Sequence, residues 1–349
     1  MKGVILGLAA TASDTIAAKR APEFLSAVDR LRMLTSDDLD AVNEEILRRL
    51  DSPVTMIPEL AGHLINAGGK RLRPMLTLAA AGLFDYAGSH HIKLAAAVEL
   101  IHGATLLHDD VVDGSALRRG ASTANIIWGN KESVLVGDFI FSRAFELMVE
   151  AKNLAVLKSL SHASGVIAQG EVLQLTTQKN IAATFETYLS VVEAKTAALF
   201  AAATEVGALI ANRSAAEETA MRDFGNYFGV AYQLIDDALD YAGFELALGK
   251  SVGDDFREGK MTAPVVFAIA RAREDEKPFW RRVIAEGRQE SGDFDRACSL
   301  MERDGAIADT IDVARSYTQK ALDALALAPQ NDFSEALADL VATSIARGA

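Results

Sequence analysis

Apolar residues recur along this chain at the three- and four-residue spacing of one helix face, and no segment shows the strict alternation of a half-buried strand. From about Ser36 onward the pattern predicts one helix after another. The predicted helices cover residues 39–50, 59–67, 92–112, 132–150, 154–176, 184–210, 216–241 and 261–272, with further helices towards the C-terminus. Alanine and leucine, which both favour helix, dominate the composition. We therefore expect an all-α protein.

Glycine and proline mark the breaks between these helices. Gly68 and Gly69 end the second predicted helix, and Pro74 fits the first turn of the next one, where its missing N–H costs little. Residues 243–259, rich in Gly, Asp and Lys, form a predicted loop. No Pro- or Ser-rich linker divides the chain. We therefore expect one catalytic domain over residues 36–349, preceded by a flexible N-terminal extension over residues 1–35.

Charge and cysteine content narrow the classes of function. The chain has 48 acidic and 35 basic residues and a formal net charge of −13. Nucleic-acid backbones require basic faces, so we expect no nucleic-acid partner. Cys298 is the only cysteine, which excludes an intrachain disulfide and a cysteine metal cluster and fits a cytoplasmic protein. No run approaches the roughly 20 apolar residues that span a bilayer.

Two acidic clusters of the form D-D-x-x-D end two apolar helical segments. The clusters are Asp109, Asp110 and Asp113, and Asp236, Asp237 and Asp240. Because residues i and i+4 share a helix face, the first and last carboxylates of each cluster project together. Like charges repel, and the negative end of the helix dipole adds to the repulsion. Two matching clusters therefore predict bound cations, and carboxylate oxygens suit Mg²⁺ that bridges to a substrate phosphate.

The cations of this acidic chain are grouped near glycines and near the acidic clusters. The groups are Lys70, Arg71 and Arg73; Arg118 and Arg119; Lys195; and Lys250 and Lys260. Arginine matches phosphate oxygens with a planar fork, and lysine binds them as a point charge. Acids and cations together predict a site for two diphosphates, one held through metal ions and the other held directly.

These stretches together resemble the trans-isoprenyl diphosphate synthases, also called polyprenyl synthetases. The matching motifs, in family order, are G-G-K-R-L-R-P at 68–74, L-L-H-D-D-V-V-D at 106–113 followed by R-R-G, Q-G-E-V-L-Q-L at 169–175, K-T at 195–196, Q-L-I-D-D-A-L-D at 233–240 and G-K-S-V-G-D-D-F-R-E-G-K at 249–260. The resemblance implies an isoprenoid-synthase-type helical bundle around a central apolar cavity. It also implies a prenyltransferase that condenses isopentenyl diphosphate head-to-tail onto an allylic diphosphate, farnesyl or geranylgeranyl diphosphate.

The resemblance implies a role for each motif residue. The metal-binding residues would be Asp109, Asp113 and Asp236, for three Mg²⁺ ions that Mn²⁺ can replace, supported by Asp110, Asp237 and Asp240. The allylic diphosphate would be bound by Arg118, Lys195, Lys250 and Lys260, and the isopentenyl diphosphate by Lys70, Arg73, His102 and Arg119. Thr196 and Gln233 would face the reacting carbons.

The implied reaction requires no nucleophilic side chain. Metal ions and cations stabilise the departing diphosphate, the double bond of isopentenyl diphosphate attacks the allylic carbocation, and the released diphosphate is the expected base. The family implies a homodimer. The hydrophobic product implies at most peripheral membrane contact during release.

Small residues before the first aspartate cluster favour a long product. Short-chain members of the family carry blocking aromatics at positions that correspond here to the face formed by Ala97, Ile101, Ala104 and Thr105. We therefore expect an open channel for the growing chain. The D-G-S-A-L-R-R-G stretch at 113–120 resembles bacterial decaprenyl-type synthases of ubiquinone biosynthesis. A decaprenyl product is favoured, with octaprenyl and solanesyl products as alternatives.

Other classes of protein fit less well. A subunit of a heteromeric prenyl diphosphate synthase that is not itself catalytic usually loses an aspartate cluster, and both clusters are present here. A terpene cyclase typically lacks the G-G-K-R-L-R-P and R-R-G cations. A carboxylate di-iron bundle requires Glu-x-x-His pairs on facing helices, and the sequence has none suitably placed.

Overall fold

The structure is a computed structural model that describes residues 12–66, 69–118, 120–241 and 253–347, and for residues 12–22, Asn66 and Arg347 it describes the backbone alone. The α-helices are α1 (Ala12–Leu34), α2 (Ser36–Leu50), α3 (Met56–Asn66), α4 (Leu72–Leu83), α5 (His90–Val112), α6 (Ala124–Ile127), α7 (Asn130–Glu150), α8 (Leu154–Thr177), α9 (Phe185–Val192), α10 (Ala198–Ile210), α11 (Ala215–Tyr241), α12 (Asp254–Glu258), α13 (Ala263–Arg271), α14 (Lys277–Trp280), α15 (Asp293–Arg303), α16 (Ala306–Leu325) and α17 (Asp332–Ser344). A short antiparallel hairpin, β1 (Leu117–Arg118) and β2 (Ala121–Ser122), follows α5. The all-α prediction is confirmed.

One predicted helix differs from the structure in its interior. The segment predicted as a single helix over 184–210 is α9 and α10 joined by one π-helical turn, Glu193–Ala197. A π turn inserts a residue without ending the helix, so the apolar pattern continues across it and does not reveal it. The turn contains Lys195 and Thr196, and its position therefore matters for the site.

Helices α5 and α11 carry the two aspartate clusters through the core. Leu94, Val98 and Ile101 of α5 are fully buried, and α5 is buried on nearly all sides, as expected of a helix that is apolar around its circumference. Helix α11 packs against both α10 and α16. Both helices end at the same side of the bundle, where a loop leads from α12 to Lys260.

Residues 23–34 correct the predicted N-terminal extension. Phe24, Val28 and Leu31 of α1 are buried in the main core, and α1 packs against α17. Arg30 donates a hydrogen bond to Glu335 at 2.8 Å. The prediction of a flexible segment is therefore wrong for these residues, because their apolar side chains recur at helical spacing and cover the end of the bundle. Residues 1–11 lie outside the described residues.

The loop predicted over 243–259 is partly helical. Helix α12 occupies its last turn, and residues 242–252 lie outside the described part of the chain. Across the described ranges, no helix combines the length and the apolar character that crossing a bilayer requires.

Candidate active site

Two lysines lie beside the aspartates at the end of α5. The Lys195 Nζ lies 3.6 Å from Asp109 Oδ2 and 2.8 Å from Glu171 Oε2 of α8. The Lys260 Nζ lies 3.8 Å from Asp113 Oδ2 and 3.6 Å from Asp255 Oδ1. Lys195 belongs to the π turn, and Lys260 follows α12. The structure therefore brings the first aspartate cluster next to cations from two separate parts of the chain.

The neighbouring carboxylates Asp109 and Asp110 have different environments. Asp110 is 2% exposed, and its Oδ1 accepts hydrogen bonds from Arg118 Nε at 2.9 Å and Arg118 Nη2 at 2.7 Å. This ion pair joins β1 to the end of α5. Asp109 and Asp113 each keep 14% of the side chain exposed, towards the cations. Asp110 thus holds Arg118 and the hairpin, while Asp109 and Asp113 face the cleft.

Asp109 is held where a negative charge is costly. Burial raises the pKa of its carboxyl group to about 7; the Lys195 ammonium opposes this rise, and the charges of Glu171 and Asp113 add to it. A further cation near Asp109 would lower that pKa and stabilise the carboxylate. The repulsion between like charges that the sequence predicted at this helix end is therefore seen in the structure.

The second cluster contains a chain of hydrogen bonds that ends at Thr196. Asp237 is 2% exposed and accepts hydrogen bonds from Tyr188 Oη at 2.6 Å and Gln233 Nε2 at 2.7 Å. The Oε1 of Gln233 accepts one from Thr196 Oγ1 at 3.1 Å. Burial raises the pKa of Asp237 to about 8, the charge of Asp255 adds to the rise, and the two hydrogen bonds oppose it.

A cavity of about 140 Å³ lies beside this chain of hydrogen bonds. Its polar lining includes Lys195, Thr196, Gln233, Asp237, Asp255 and Lys260. Apolar side chains such as Val191, Val192 and Met261 line it as well. The cavity therefore places an apolar wall next to the groups predicted to face the reacting carbons.

Asp240 connects the second cluster to α12. Its carboxylate accepts hydrogen bonds from the backbone N–H groups of Gly253 and Asp255, both at 3.1 Å. Such bonds satisfy the first amides of α12 and complement its dipole. The backbone N–H of Lys260 then donates to the carbonyl of Asp255 at 3.0 Å. Burial lowers the pKa of Lys260, but the charges of Asp255 and Glu258 outweigh it and raise the pKa, so this lysine stays protonated.

The first cationic motif lies at the start of α4. Arg73 Nη1 lies 3.2 Å from His102 Nε2 of α5, and its guanidinium carbon lies 4.5 Å from the centre of the Phe200 ring. The Lys70 Nζ lies 4.5 Å from the centre of the Phe24 ring. Lys70, Arg73 and His102 are therefore carried by neighbouring elements. Arg119 and Lys250, the remaining predicted diphosphate ligands, lie outside the described residues.

Arg71 of the same motif has a structural function. It adopts a left-handed backbone conformation with φ of 52° and pairs with Glu99 of α5. Its Nη2 also donates to the carbonyl of Ile65 at 3.3 Å. The side chain thereby ties the start of α4 to α5 and to the end of α3.

The proposed chain-length residues lie along α5 below Asp109. Ala97, Ile101 and Ala104 are fully buried in the main core, and Thr105 Oγ1 donates to the carbonyl of His102 at 2.8 Å. These residues do not line the 140 Å³ cavity. Their influence on product length remains a prediction.

Comparison with known proteins identifies the family. Residues 54–301 match the family model for polyprenyl synthetase. Over 320 residues the chain is 41% identical to octaprenyl diphosphate synthase of Escherichia coli (strain K12), covering 92% of this chain and 99% of that protein. The chain belongs to the polyprenyl synthetase family.

Solved structures of polyprenyl synthetases share the fold. A polyprenyl synthase from Caulobacter crescentus CB15, complexed with calcium and isoprenyl diphosphate, is 53% identical with a TM-score of 0.89, covering 92% of this chain and 98% of that one. A decaprenyl diphosphate synthase from Rhodobacter capsulatus is 50% identical with a TM-score of 0.89, covering 92% and 99%. The isoprenoid-synthase-type fold is thereby confirmed. So is the predicted activity, that of a prenyltransferase and a trans-polyprenyl diphosphate synthase of the long-chain type.

The family uses a divalent metal, and the carboxylates of this polyprenyl synthetase fit such an ion. Among the described residues, no group of three or more His, Cys, Asp or Glu side chains is gathered closely enough to hold a metal by itself. Mg²⁺ is usually bound by only one or two protein carboxylates, and water molecules and substrate phosphate oxygens complete its coordination. The raised pKa of the Asp109 carboxyl group indicates that this site is short of positive charge.

Sequence reasoning missed three residues of this polyprenyl synthetase site. Glu171 pairs with Lys195, Tyr188 donates to Asp237, and Asp255 lies beside Lys260. Glu171 and Asp255 both belong to motifs that carried the family resemblance, so their presence in those motifs was a usable signal. Tyr188 gave no such signal, because a tyrosine in an apolar helix is usually predicted to be a core residue.

Proposed function

We propose that this polyprenyl synthetase extends farnesyl or geranylgeranyl diphosphate with isopentenyl diphosphate to decaprenyl diphosphate, the precursor of a ubiquinone side chain, and that Mg²⁺ is its metal. The observation that carries the proposal is that Lys195 lies beside Asp109 and Lys260 lies beside Asp113 at the end of α5. Acids for the metal and cations for a diphosphate are thus within one cleft.

The allylic diphosphate would lie between the two aspartate clusters. Asp109, Asp113 and Asp236 would hold the metal ions, which when bound stabilise the negative charge of the departing diphosphate. Lys195 and Lys260 would contact the diphosphate oxygens directly. Asp110 would act by holding Arg118 at the edge of the cleft, and Asp240 by fixing α12 and Lys260.

The allylic carbon would ionise beside Thr196 and Gln233. The hydroxyl oxygen of Thr196 would face the developing positive charge, and the apolar wall formed by Val191 and Val192 would keep water from quenching it. Lys70, Arg73 and His102 would hold isopentenyl diphosphate with its double bond towards that carbon. The C–O bond breaks, a C–C bond forms, and the proton leaves to the released diphosphate.

A long product is supported by small residues along α5. Ala97 and Ala104 are small residues on α5 below Asp109, along which we propose that the product chain grows. The 50% identity with a decaprenyl diphosphate synthase favours the decaprenyl product over the octaprenyl and solanesyl alternatives.

A homodimer is part of the proposal. Exposed apolar side chains lie along the connected elements from the end of α5 to α7, among them Leu117, Ile126, Ile127 and Leu135, with exposures of 67%, 58%, 48% and 67%. A second copy of the chain would bury such side chains. We further propose that the enzyme is cytoplasmic, in keeping with its lone cysteine, and contacts membranes only to release its hydrophobic product.

The proposal is tested by product analysis. Purified protein is incubated with labelled isopentenyl diphosphate, farnesyl diphosphate and Mg²⁺, and the dephosphorylated products are separated by chain length. A ladder that ends at decaprenol, is lost with EDTA and returns with Mg²⁺ is expected. A shorter end point would contradict the product assignment alone.

The oligomeric state distinguishes the remaining alternative. Light scattering of the wild type should give twice the chain mass, and Leu135→Glu should lower it. A wild-type protein that forms no product with farnesyl, geranyl or geranylgeranyl diphosphate would contradict catalysis by this chain alone. Recovery of activity on adding a second, different chain would then assign it to a heteromeric synthase.

A further inference from the structure

Tyr188 contributes a buried hydroxyl group to the second aspartate cluster. It lies on α9, is 7% exposed, and its Oη lies 2.6 Å from Asp237 Oδ2. Its ring stacks on Phe185, with ring centres 5.7 Å apart, and Phe185 stacks on Phe267 at 4.9 Å. The ring is therefore held by apolar packing, and the hydroxyl group is the part that meets the site.

Both oxygens of the Asp237 carboxyl group accept hydrogen bonds, Oδ2 from Tyr188 Oη and Oδ1 from Gln233 Nε2. The amide NH₂ of Gln233 can only donate, so this contact sets the orientation of its amide group. The amide oxygen of Gln233 then faces the other way, towards Thr196. Because that oxygen only accepts, Thr196 must donate its single hydroxyl hydrogen to Gln233.

This direction determines which part of Thr196 faces the cavity. With its hydrogen committed to Gln233, the hydroxyl oxygen of Thr196 presents its lone pairs, and the negative end of its dipole, to the space beside it. A reversed hydroxyl would present the positive end. The order of the hydrogen bonds therefore matters to any cation formed in the cavity.

We propose that Tyr188 is a positioning residue for prenyl transfer, which acts through Asp237 and Gln233 to keep the Thr196 hydroxyl oriented with its oxygen towards the allylic carbocation. The inference rests on the proposed function, because it assigns the carbocation to this cavity. In this scheme Tyr188 itself binds neither a diphosphate nor a metal ion. It supplies the second donor that fixes the Asp237 carboxylate and, with it, the amide orientation of Gln233.

The direct test is Tyr188→Phe, with Tyr317→Phe as the matched control. The variant removes one oxygen atom and leaves the stacked ring in place. Tyr317 lies on α16 beside Tyr227, with ring centres 6.1 Å apart and ring planes tilted by 55°. We expect kcat of Tyr188→Phe to fall on the order of tenfold, with the KM of each substrate and the Mg²⁺ concentration for half-maximal rate within about twofold of wild type. The control should match wild type in all four values.

A double-mutant comparison separates positioning from a general structural effect. Thr196→Val removes the hydroxyl through which Tyr188 is proposed to act. In that background, Tyr188→Phe should change kcat by less than about twofold, because the groups act in one chain. An equal loss in both backgrounds would overturn the proposal, and so would an unchanged kcat in Tyr188→Phe.

Other outcomes of these experiments also bear on the proposal. If Tyr188→Phe does not fold, Asp237→Asn replaces it, since an amide cannot accept from both donors with the same geometry; wild-type kcat in that variant would overturn the proposal. If Tyr188→Phe mainly raised the Mg²⁺ concentration for half-maximal rate, the proposal would also be overturned, because Tyr188 would then support metal binding. Failure of the wild type to elongate any primer would instead contradict the proposed function.

Discussion

Carboxylates that are adjacent in the sequence act differently because of their burial and their partners. Asp110 is buried in a bidentate pair with Arg118, whereas Asp109 is buried mainly beside a lysine that it shares with Glu171. A charge that is already compensated stabilises the fold, and a charge that lacks compensation favours a ligand of opposite sign.

Replacing Asp109 separates catalysis from stability. We expect Asp109→Asn to lower kcat on the order of a hundredfold or more, because one ligand for the metal ions is lost. The melting temperature in metal-free buffer should not fall, because burial already disfavours the charge of Asp109. Steady-state assays and thermal melts in EDTA check the two values. Asp312→Asn, an exposed change on α16, serves as the control; a normal kcat in Asp109→Asn would refute the metal assignment.

At the scale of elements, the contact between α8 and the π turn determines where Lys195 lies. A Cβ on Gly170 would lie 2.7 Å from the Cβ of Ala194 and 3.0 Å from the backbone N of Lys195. The absence of a side chain at Gly170 lets α8 approach the turn, so that Glu171 reaches Lys195. The glycine of the Q-G-E motif therefore has a packing function.

Two glycines of α8 offer a matched pair of substitutions. Gly170→Ala must displace the backbone of the π turn, so we expect KM for the allylic diphosphate to rise at least about tenfold together with a lower melting temperature. Gly165→Ala should leave activity unchanged and stability within about 1 kcal/mol of wild type, because a Cβ there meets nothing within 4 Å. Steady-state kinetics on both variants check this. Equal behaviour of the two variants would contradict the packing argument.

An ion cluster ties three helices together at the other end of α5. Glu150 of α7 accepts hydrogen bonds from Arg49 of α2 at 2.6 Å and from Lys93 of α5 at 2.7 Å. These bonds, the one from Arg49 first, hold the pKa of Glu150 at about 2, well below its usual range. A depressed folded-state pKa contributes stability that is present above the unfolded pKa of 4.5 and is lost as the pH falls towards 2.

The pH dependence of stability should therefore differ in a variant of this cluster. Between pH 6 and pH 3 the urea midpoint of the wild type should fall more steeply than that of Glu150→Gln, which carries no titrating group at this position. Urea denaturation at a series of pH values checks the difference. The exposed change Glu302→Gln should follow the wild type. Parallel curves for the wild type and Glu150→Gln would exclude a contribution from the cluster.

For the whole molecule, helices from opposite ends of the described sequence, α1 and α17, pack against each other. Arg30 of α1 reaches Glu335 and Asp339 across more than 300 residues of sequence. The main core includes residues of α1, α4, α5, α10 and α17. Residues 23–34 thus pack into the same helical core as α5, the helix that carries Asp109.

Truncating a buried side chain of α1 tests this view. Leu31 is fully buried, so we expect Leu31→Ala to lower the free energy of unfolding by about 2–5 kcal/mol. Met33→Ala on the exposed face, where the side chain is 71% exposed, should change it by no more than about 0.5 kcal/mol. Denaturant titration measures both. A negligible effect of Leu31→Ala would restore the flexible-extension prediction for this segment.

The sequence by itself determined the class of fold, the family and most of the ligand groups. Helical periodicity is a local property, and the spacing of Asp109 and Asp113 places them on one helix face without any tertiary information. The motifs identified the reaction because their residue types match the charges of a diphosphate and a metal ion. For the same reason, Glu171 and Asp255 could have been predicted from the motifs that contain them.

Only the tertiary structure decided which groups face the substrate and which hold other groups in place. That Asp110 pairs with Arg118 depends on the return of β1 towards the end of α5. That Arg71 pairs with Glu99 and that Tyr188 donates to Asp237 depends on the packing of helices distant in the sequence. The π turn at Lys195 and the burial of Phe24 have the same origin. Burial determines whether a charge is compensated or left to attract a ligand, and burial is a property of the assembled bundle.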